Sequence, residues 1–190
     1  PLTDKGIADA VAAGKRLSQI KFDAAYSSDT SRAIKTGQLI LKENPAAIKD
    51  PVPTGAFREL NFGYYEGEDD VKTWHTIGGP IGINSFHGLI AEFGIEKAED
   101  MIAAADPYKD AESGGTFWKR LKLAIDQVVA DAQDGDKILL ATHGTLIRNV
   151  VAKFSDIPVD VSTKNGSVTK VNWDGKSYSV EYFNNVSEDL

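Results

Sequence analysis

The chain has 190 residues, 42% of them apolar and 26% charged, with a net charge of -7 and no cysteine. That length suits one domain with a substantial core. The acidic balance argues against nucleic acid and anionic membranes as partners, and the lack of cysteine excludes disulfides, a thiol nucleophile and a zinc–thiolate site. No apolar run reaches the length of a membrane span, and no signal peptide is visible; the lack of cysteine is compatible with the cytoplasm, which is the expected location. A small anionic substrate stays open, because a few local cations can outweigh a distant, salt-screened negative background.

In chain order, Leu2-Thr3-Asp4-Lys5-Gly6 reads as a helix start with Thr3 as N-cap. Ile7, Ala10, Val11, Gly14 and Leu17 then form one apolar face. Residues 22–27 predict a short strand. Ser28 or Asp29 can cap the next helix, to about Lys42, with Ala33, Ile34, Gly37, Ile40 and Leu41 inward. Arg32 falls in the first turn, where a cation opposes the helix dipole. It reads either as a solvated surface arginine or as a guanidinium aimed at an anion, gripping a phosphate through two N–H groups at once.

Residues 44–53 hold three prolines and read as a connection. The aromatic, glycine-punctuated stretch Phe57-Arg58-Glu59-Leu60-Asn61-Phe62-Gly63-Tyr64-Tyr65-Glu66-Gly67 reads as an ordered loop. Such a loop can hold a carboxyl group in a partly apolar pocket as a proton donor, and Glu59 and Glu66 both qualify. Residues 69–113 are less regular and read as an insertion lying over the site. Phe86, Leu89, Ile90 and Phe93 predict a short amphipathic helix there, and 98–105 another. Trp74, His75, Phe86 and His87 are its candidate substrate-facing residues, set against plain packing or surface roles.

A long helix is predicted over 116–132, with Phe117, Leu121, Ala124, Ile125, Val128 and Val129 inward. After a turn, Ile138-Leu139-Leu140 reads as a buried strand. Leu146, Ile147, Val150, Val151 and Phe154 then recur at helical spacing. His143 therefore sits where a strand ends and a helix begins, the place where open α/β sheets bind ligands and where helix N–H groups favour an anion. Residues 168–173 and 177–183 alternate around Asp174-Gly175-Lys176 and predict a β-hairpin. No repeat and no glycine-rich nucleotide fingerprint is present.

Taken together, Pro1-Leu2-Thr3-x-x-Gly6, Ser27-Ser28-Asp29-x-x-Arg32-Ala33-x-x-Thr36, Arg58-Glu59-x-x-Phe62-Gly63-x-x-Glu66-Gly67, Thr142-His143-Gly144 and Asn165-x-Ser167-Val168-Thr169 resemble the histidine phosphatase superfamily, in its phosphoglycerate mutase-like branch. The resemblance runs over nearly the whole chain. It implies an α/β three-layer sandwich: one domain over 1–190, with a mostly parallel central sheet flanked by helices, a C-terminal β-hairpin, and 69–113 as a lid. It also implies a metal-independent phosphatase with no cofactor, acting on a small phosphomonoester through a phosphohistidine. Arg32 and His143 would hold the phosphoryl group, helped by the backbone N–H of Gly144 or Thr145. Glu59 would protonate the leaving alkoxide and Glu66 would give structural support. These types suit a transferring phosphoryl group, whose charge spreads over three oxygens and whose catalysis is mostly positioning and electrostatic stabilisation.

The family's Arg-His-Gly signature, which carries the nucleophilic histidine, does not occur here: His75, His87 and His143 come after Trp74, Phe86 and Thr142. In that fold the signature ends an internal strand. Losing the strand would leave buried backbone groups unpaired at about 1–3 kcal/mol each, against a net stability of about 5–15 kcal/mol. The expectation is that the nucleophile and a further arginine lie upstream of Pro1. The alternatives carried forward are a phosphoglycerate mutase and a non-catalytic phosphate-binding pseudoenzyme. Against the mutase stand the lack of a longer insertion and the acidic Glu68-Asp69-Asp70 near the lid.

Overall fold

In the computed structural model of the chain, which describes residues 1–187, strands β1 (Ala24–Ser28), β2 (Val52–Thr54) and β3 (Ile138–Ala141) form a parallel sheet with β1 in the middle. Tyr26 lies opposite Val52 on one side and Leu140 on the other, and Ser27 lies opposite Pro53 and Ala141. The chain divides into two units. The first comprises Pro1–Glu59, Ala124–Ile147 and the chain from Thr163 on; the second comprises Leu60–Leu123 and Arg148–Ser162.

In the first unit, helix α1 (Asp4–Arg16) starts at Thr3, whose hydroxyl accepts the Gly6 N–H at 3.1 Å. Helix α2 (Ser31–Lys42) packs against α1 and the sheet. Ala13, Leu17, Phe22, Ala25, Ile40, Leu41, Ala46 and Leu139 form the core between them. Close approach explains Gly37: a Cβ there would lie 2.8 Å from the Pro51 ring. Asn44 orders the link after α2, donating to the Leu17 and Ile20 carbonyls and accepting from Ala46 N–H. This link, whose prolines read as a connection, contains β2. A three-residue edge strand tolerates Pro53 because its missing N–H costs no pairing on the outer side.

The C-terminal hairpin joins β4 (Val168–Trp173) and β5 (Tyr178–Asn185) antiparallel. The Asp174 carboxylate accepts both Lys176 and Ser177 N–H at 2.8 Å. Trp173 pairs with Tyr178, their ring centroids 4.4 Å apart. The chain is thus α/β, with a parallel sheet, helices and a C-terminal antiparallel pair.

The second unit is helical. It holds α3 (Asp70–Ile77), α4 (Phe86–Phe93), α5 (Ile95–Ala105) and the first part of α6 (Gly114–Asp131). Helix α3 lies in a stretch whose sequence pattern predicts no helix; its start is marked by Asp69, which accepts Lys72 N–H at 3.0 Å. Leu89, Ala98, Ile102, Phe117, Leu121 and Val151 are fully buried in this unit. Two buried carboxylates are tied down by donors: Glu99 accepts from the Asn149 amide at 2.5 Å, and Asp106 accepts the N–H groups of Tyr108, Asp110 and Ala111. Helix α7 (Gly144–Phe154) contributes its first turn to the first unit and the rest to the second. Among the described residues, no helix is long and apolar enough to cross a membrane.

Candidate functional site

Because β1 and β3 are parallel neighbours in register, their C-terminal ends emerge side by side. Strand β1 runs on into Asp29, Thr30 and the first turn of α2, which carries Arg32; strand β3 runs on into Thr142, His143 and the first turn of α7. The sheet thereby brings together residues 111 apart in sequence: Arg32 Nη2 lies 3.3 Å from His143 Nδ1.

The guanidinium can only donate, so Nδ1 accepts, and the neutral ring carries its proton on Nε2. That nitrogen lies 3.5 Å from Thr30 Oγ1, which in turn accepts from Ser28 Oγ at 3.3 Å. The imidazole is 7% exposed. Burial pushes its pKa down to about 4, Arg32 adds to the shift and Asp29 opposes it. The ring is therefore neutral near pH 7. Arg32 is exposed and, among the described residues, has no carboxylate partner.

A third segment closes on the two strand ends. Gly55–Phe57 forms one 3-10 turn, and Phe57 is buried at 1% exposure. From there three successive residues reach three partners. The Phe57 carbonyl accepts the Thr142 hydroxyl at 2.9 Å. Arg58 donates Nε and Nη2 to the two carboxylate oxygens of Asp29, each at 2.7 Å. Glu59 accepts Thr145 N–H and Leu146 N–H through its two oxygens, each at 3.0 Å. The Arg58 guanidinium holds the Asp29 carboxyl below the usual carboxylate range, with burial opposing.

Among the residues singled out in the sequence, then, Arg32, Glu59, His143, Gly144 and Thr145 all belong to the first unit. The Thr145 amide, assigned in the sequence to a phosphoryl oxygen, donates here to Glu59. Gly144 leaves room for a neighbour: a Cβ there would lie 2.3 Å from Thr163 Oγ1, so the Thr163 hydroxyl would have to turn away. Trp74, His75, Phe86 and His87 belong to the second unit. The buried Phe86 ring is stacked on Trp74 with centroids 5.2 Å apart, and the Arg148 guanidinium lies 4.9 Å over it. His75 is exposed, and His87 Nε2 lies 3.1 Å from Ser162 Oγ. Glu66 accepts Phe62 N–H at 3.0 Å.

Sequence reasoning gives no site role to Asp29, Thr30, Arg58, Thr142 and Thr163, although Asp29, Arg58 and Thr142 stand within its motifs and Asp29 is one of its helix-cap candidates. Their partners lie 29 to 113 residues away or are set by a single close approach, so no local pattern marks what they meet. An arginine next to the glutamate already singled out is the one available hint. Chemically, the site offers an exposed guanidinium beside a neutral imidazole at the C-terminal ends of two parallel strands. That donor set suits an anion with several oxygens. Among the described residues, no group of three or more His, Asp or Glu side chains could hold a metal ion.

Comparison with known proteins supplies a family context. The family described as the histidine phosphatase superfamily (branch 1) matches residues 1–77 and 85–186. A 2,3-bisphosphoglycerate-dependent phosphoglycerate mutase from Neisseria meningitidis serogroup C is 29% identical over 169 residues, covering 82% of this chain and 74% of that protein. A protein of the same name from Bartonella tribocorum is 38% identical over 97 residues, 43% of this chain; the match spans 47% of that relative's length. The crystal structure of phosphoglycerate mutase from Bacillus anthracis str. Sterne matches with a TM-score of 0.90 at 34% identity, covering 100% of this chain and 84% of that one.

Proposed function

The chain belongs to the histidine phosphatase superfamily, and from that premise we propose that it transfers the phosphoryl group of a small phosphomonoester to a histidine and then to water. The observation that carries this reading is the 3.3 Å approach of Arg32 to His143 at adjacent strand ends. In this reading a ring nitrogen of the accepting histidine bonds to phosphorus as the bond from phosphorus to the alcohol oxygen breaks, and the electron pair leaves with that oxygen. Glu59 is the group that gives the alkoxide its proton in this reading, and to do so it takes up a proton and gives up at least one of the Thr145 and Leu146 N–H bonds that hold it as a carboxylate. Water then attacks phosphorus while the Glu59 carboxylate takes its proton, the P–N bond breaks with its electron pair returning to the imidazole nitrogen, and inorganic phosphate leaves.

Arg32 answers the charge that spreads over the phosphoryl oxygens, since its guanidinium stays charged at any working pH and is not already engaged by a carboxylate. His143, neutral on its own, adds an N–H donor and gains a proton more readily once a dianion lies against it. Gly144, without a side chain, lets the backbone come close to the bound group.

A second reading is favoured by the names of two extensively aligned relatives, both phosphoglycerate mutases. In that reading the same phosphohistidine returns its phosphoryl group to a bound phosphoglycerate rather than to water. Assays of the full protein separate the two. Phosphate release from p-nitrophenyl phosphate, lost in His143→Ala and in Arg32→Ala, supports the hydrolase. Isomerisation of phosphoglycerate without phosphate release reverses the ranking. No turnover with phosphate binding retained makes the protein a binder and overturns both.

A further inference from the structure

The Asp29–Arg58 pair has a geometry that its contribution to stability does not explain. Both nitrogens of the Arg58 fork face both oxygens of Asp29 at 2.7 Å, yet the side chains are 63% exposed for Arg58 and 31% for Asp29. Exposed ion pairs add little to folding, and a bidentate fork is the form in which they add most. A planar, bidentate pair does something else well: it fixes direction. Here it fixes the direction of a segment with chemistry at both ends. Asp29 is the residue after β1 and lies three residues before Arg32. Arg58 is bonded through one peptide to Glu59, whose carboxylate reaches the first turn of α7 directly after His143. The neighbouring anchor, the Thr142 hydroxyl on the Phe57 carbonyl, holds the same segment one residue earlier.

Resting on the functional reading above, we propose that Asp29 and Arg58 are positioning residues: their ion pair sets where the Glu59 carboxyl stands relative to Arg32 and His143, and so sets the efficiency of proton delivery to the leaving oxygen. The pair also sorts the two arginines. Arg58 commits its Nε and Nη2 edge to Asp29, while Arg32 has no carboxylate partner among the described residues and is the one left for the anion.

The test uses leaving-group dependence, which a merely structural role would not change. A p-nitrophenolate leaves with little help from an acid, whereas an alkoxide depends on it. Kinetics on p-nitrophenyl phosphate and on 2-phenylethyl phosphate are compared for the full protein, Arg58→Lys, Asp29→Asn and the double variant, with thermal melting as the check on folding. Lysine keeps the charge but cannot make the fork.

The expected result is a fall in kcat on the alkyl ester at least ~10-fold larger than on the aryl ester in each single variant, the scale on which sub-ångström misplacement acts. The double variant should be no worse than either single one. Equal losses on both esters, no loss, or a rise in KM with kcat unchanged overturns the inference; the last makes Arg58 a substrate contact. If both single variants melt far below the full protein, the pair is structural and the inference fails. If the full protein turns over neither ester, the functional reading fails and takes this inference with it.

Discussion

Two helices leave the same edge of the sheet, and their first turns are satisfied in opposite ways. Helix α2 begins at Thr30, which makes no side-chain capping bond; its hydroxyl lies instead beside Ser28 and His143. Helix α7 begins with Thr145 and Leu146 amides that both donate to Glu59, a carboxylate 86 and 87 residues earlier in the chain. A helix start attracts anions in either case. At α7 the attraction is already met by the protein's own carboxylate. At α2 it is accompanied by Arg32, a cation that does nothing for the helix. The comparison teaches that a strand-to-helix junction marks a site only in general terms: whether its first amides are met by a carboxylate of the protein itself depends on a third segment that arrives from elsewhere.

Substitutions at the two junctions break or sharpen that comparison. The largest effect belongs to the cation and the imidazole. Arg32→Ala and His143→Ala should each lower kcat on an aryl phosphate by about 10²–10³-fold, the usual loss for one donor to developing negative charge; similar kcat in both variants and the parent would remove these side chains from the chemistry.

Next is the pH dependence of stability at the β3 end. The folded protein keeps His143 neutral down to about pH 4, while the unfolded chain takes up the proton near 6.5. The unfolded state therefore binds more protons between those values, so stability is full above about pH 6.5 and is lost as the pH falls toward 4. The loss is at most about 3 kcal/mol. Urea unfolding at a series of pH values should show it, and His143→Asn should flatten that part of the curve.

Smaller again is the steric constraint at the start of α7. Gly144→Ala should cost about 1–3 kcal/mol by pressing on the Thr163 hydroxyl, and Thr163→Ala should relieve part of it; unfolding of the two single variants and the double variant reads the coupling. The smallest effect makes the comparison itself quantitative. Glu59→Ala should cost about 0.5–2 kcal/mol as a lost cap. Thr30→Ala, at a cap position without a cap bond, should stay within about 0.5 kcal/mol. Equal costs in melting experiments would show that the two helix starts are not satisfied differently after all.

How far the sequence carries can be seen residue by residue. Thr3 announces the start of α1 because a capping hydroxyl acts on an amide three residues away. Ile138-Leu139-Leu140 announces β3, and the alternation around Asp174-Gly175-Lys176 announces the hairpin, since each signal has the length of the element it describes. Residues 44–53 mislead because prolines mark a break in most settings, and a three-residue edge strand is one where they do not. Helix α3 escapes because Asp70-Val71-Lys72-Thr73 shows no apolar stripe, and its Asp69 cap reads only as part of an acidic run.

By itself, then, the sequence determined the periodic elements, the end-of-strand setting of Arg32 and His143, and a family resemblance spread over well-separated motifs. Tertiary structure alone decided that β1 and β3 are neighbours, that Arg32 Nη2 comes to 3.3 Å from His143 Nδ1, and that Glu59 rather than a ligand meets the α7 amides. The division has a physical cause. Caps, turns and amphipathic faces are set by interactions within a few residues, which leave their mark in local spacing. Strand order, burial of an ionisable ring and the pairing of Arg58 with Asp29 arise between segments 26 to 114 residues apart, where the intervening length of chain carries no record of what will meet.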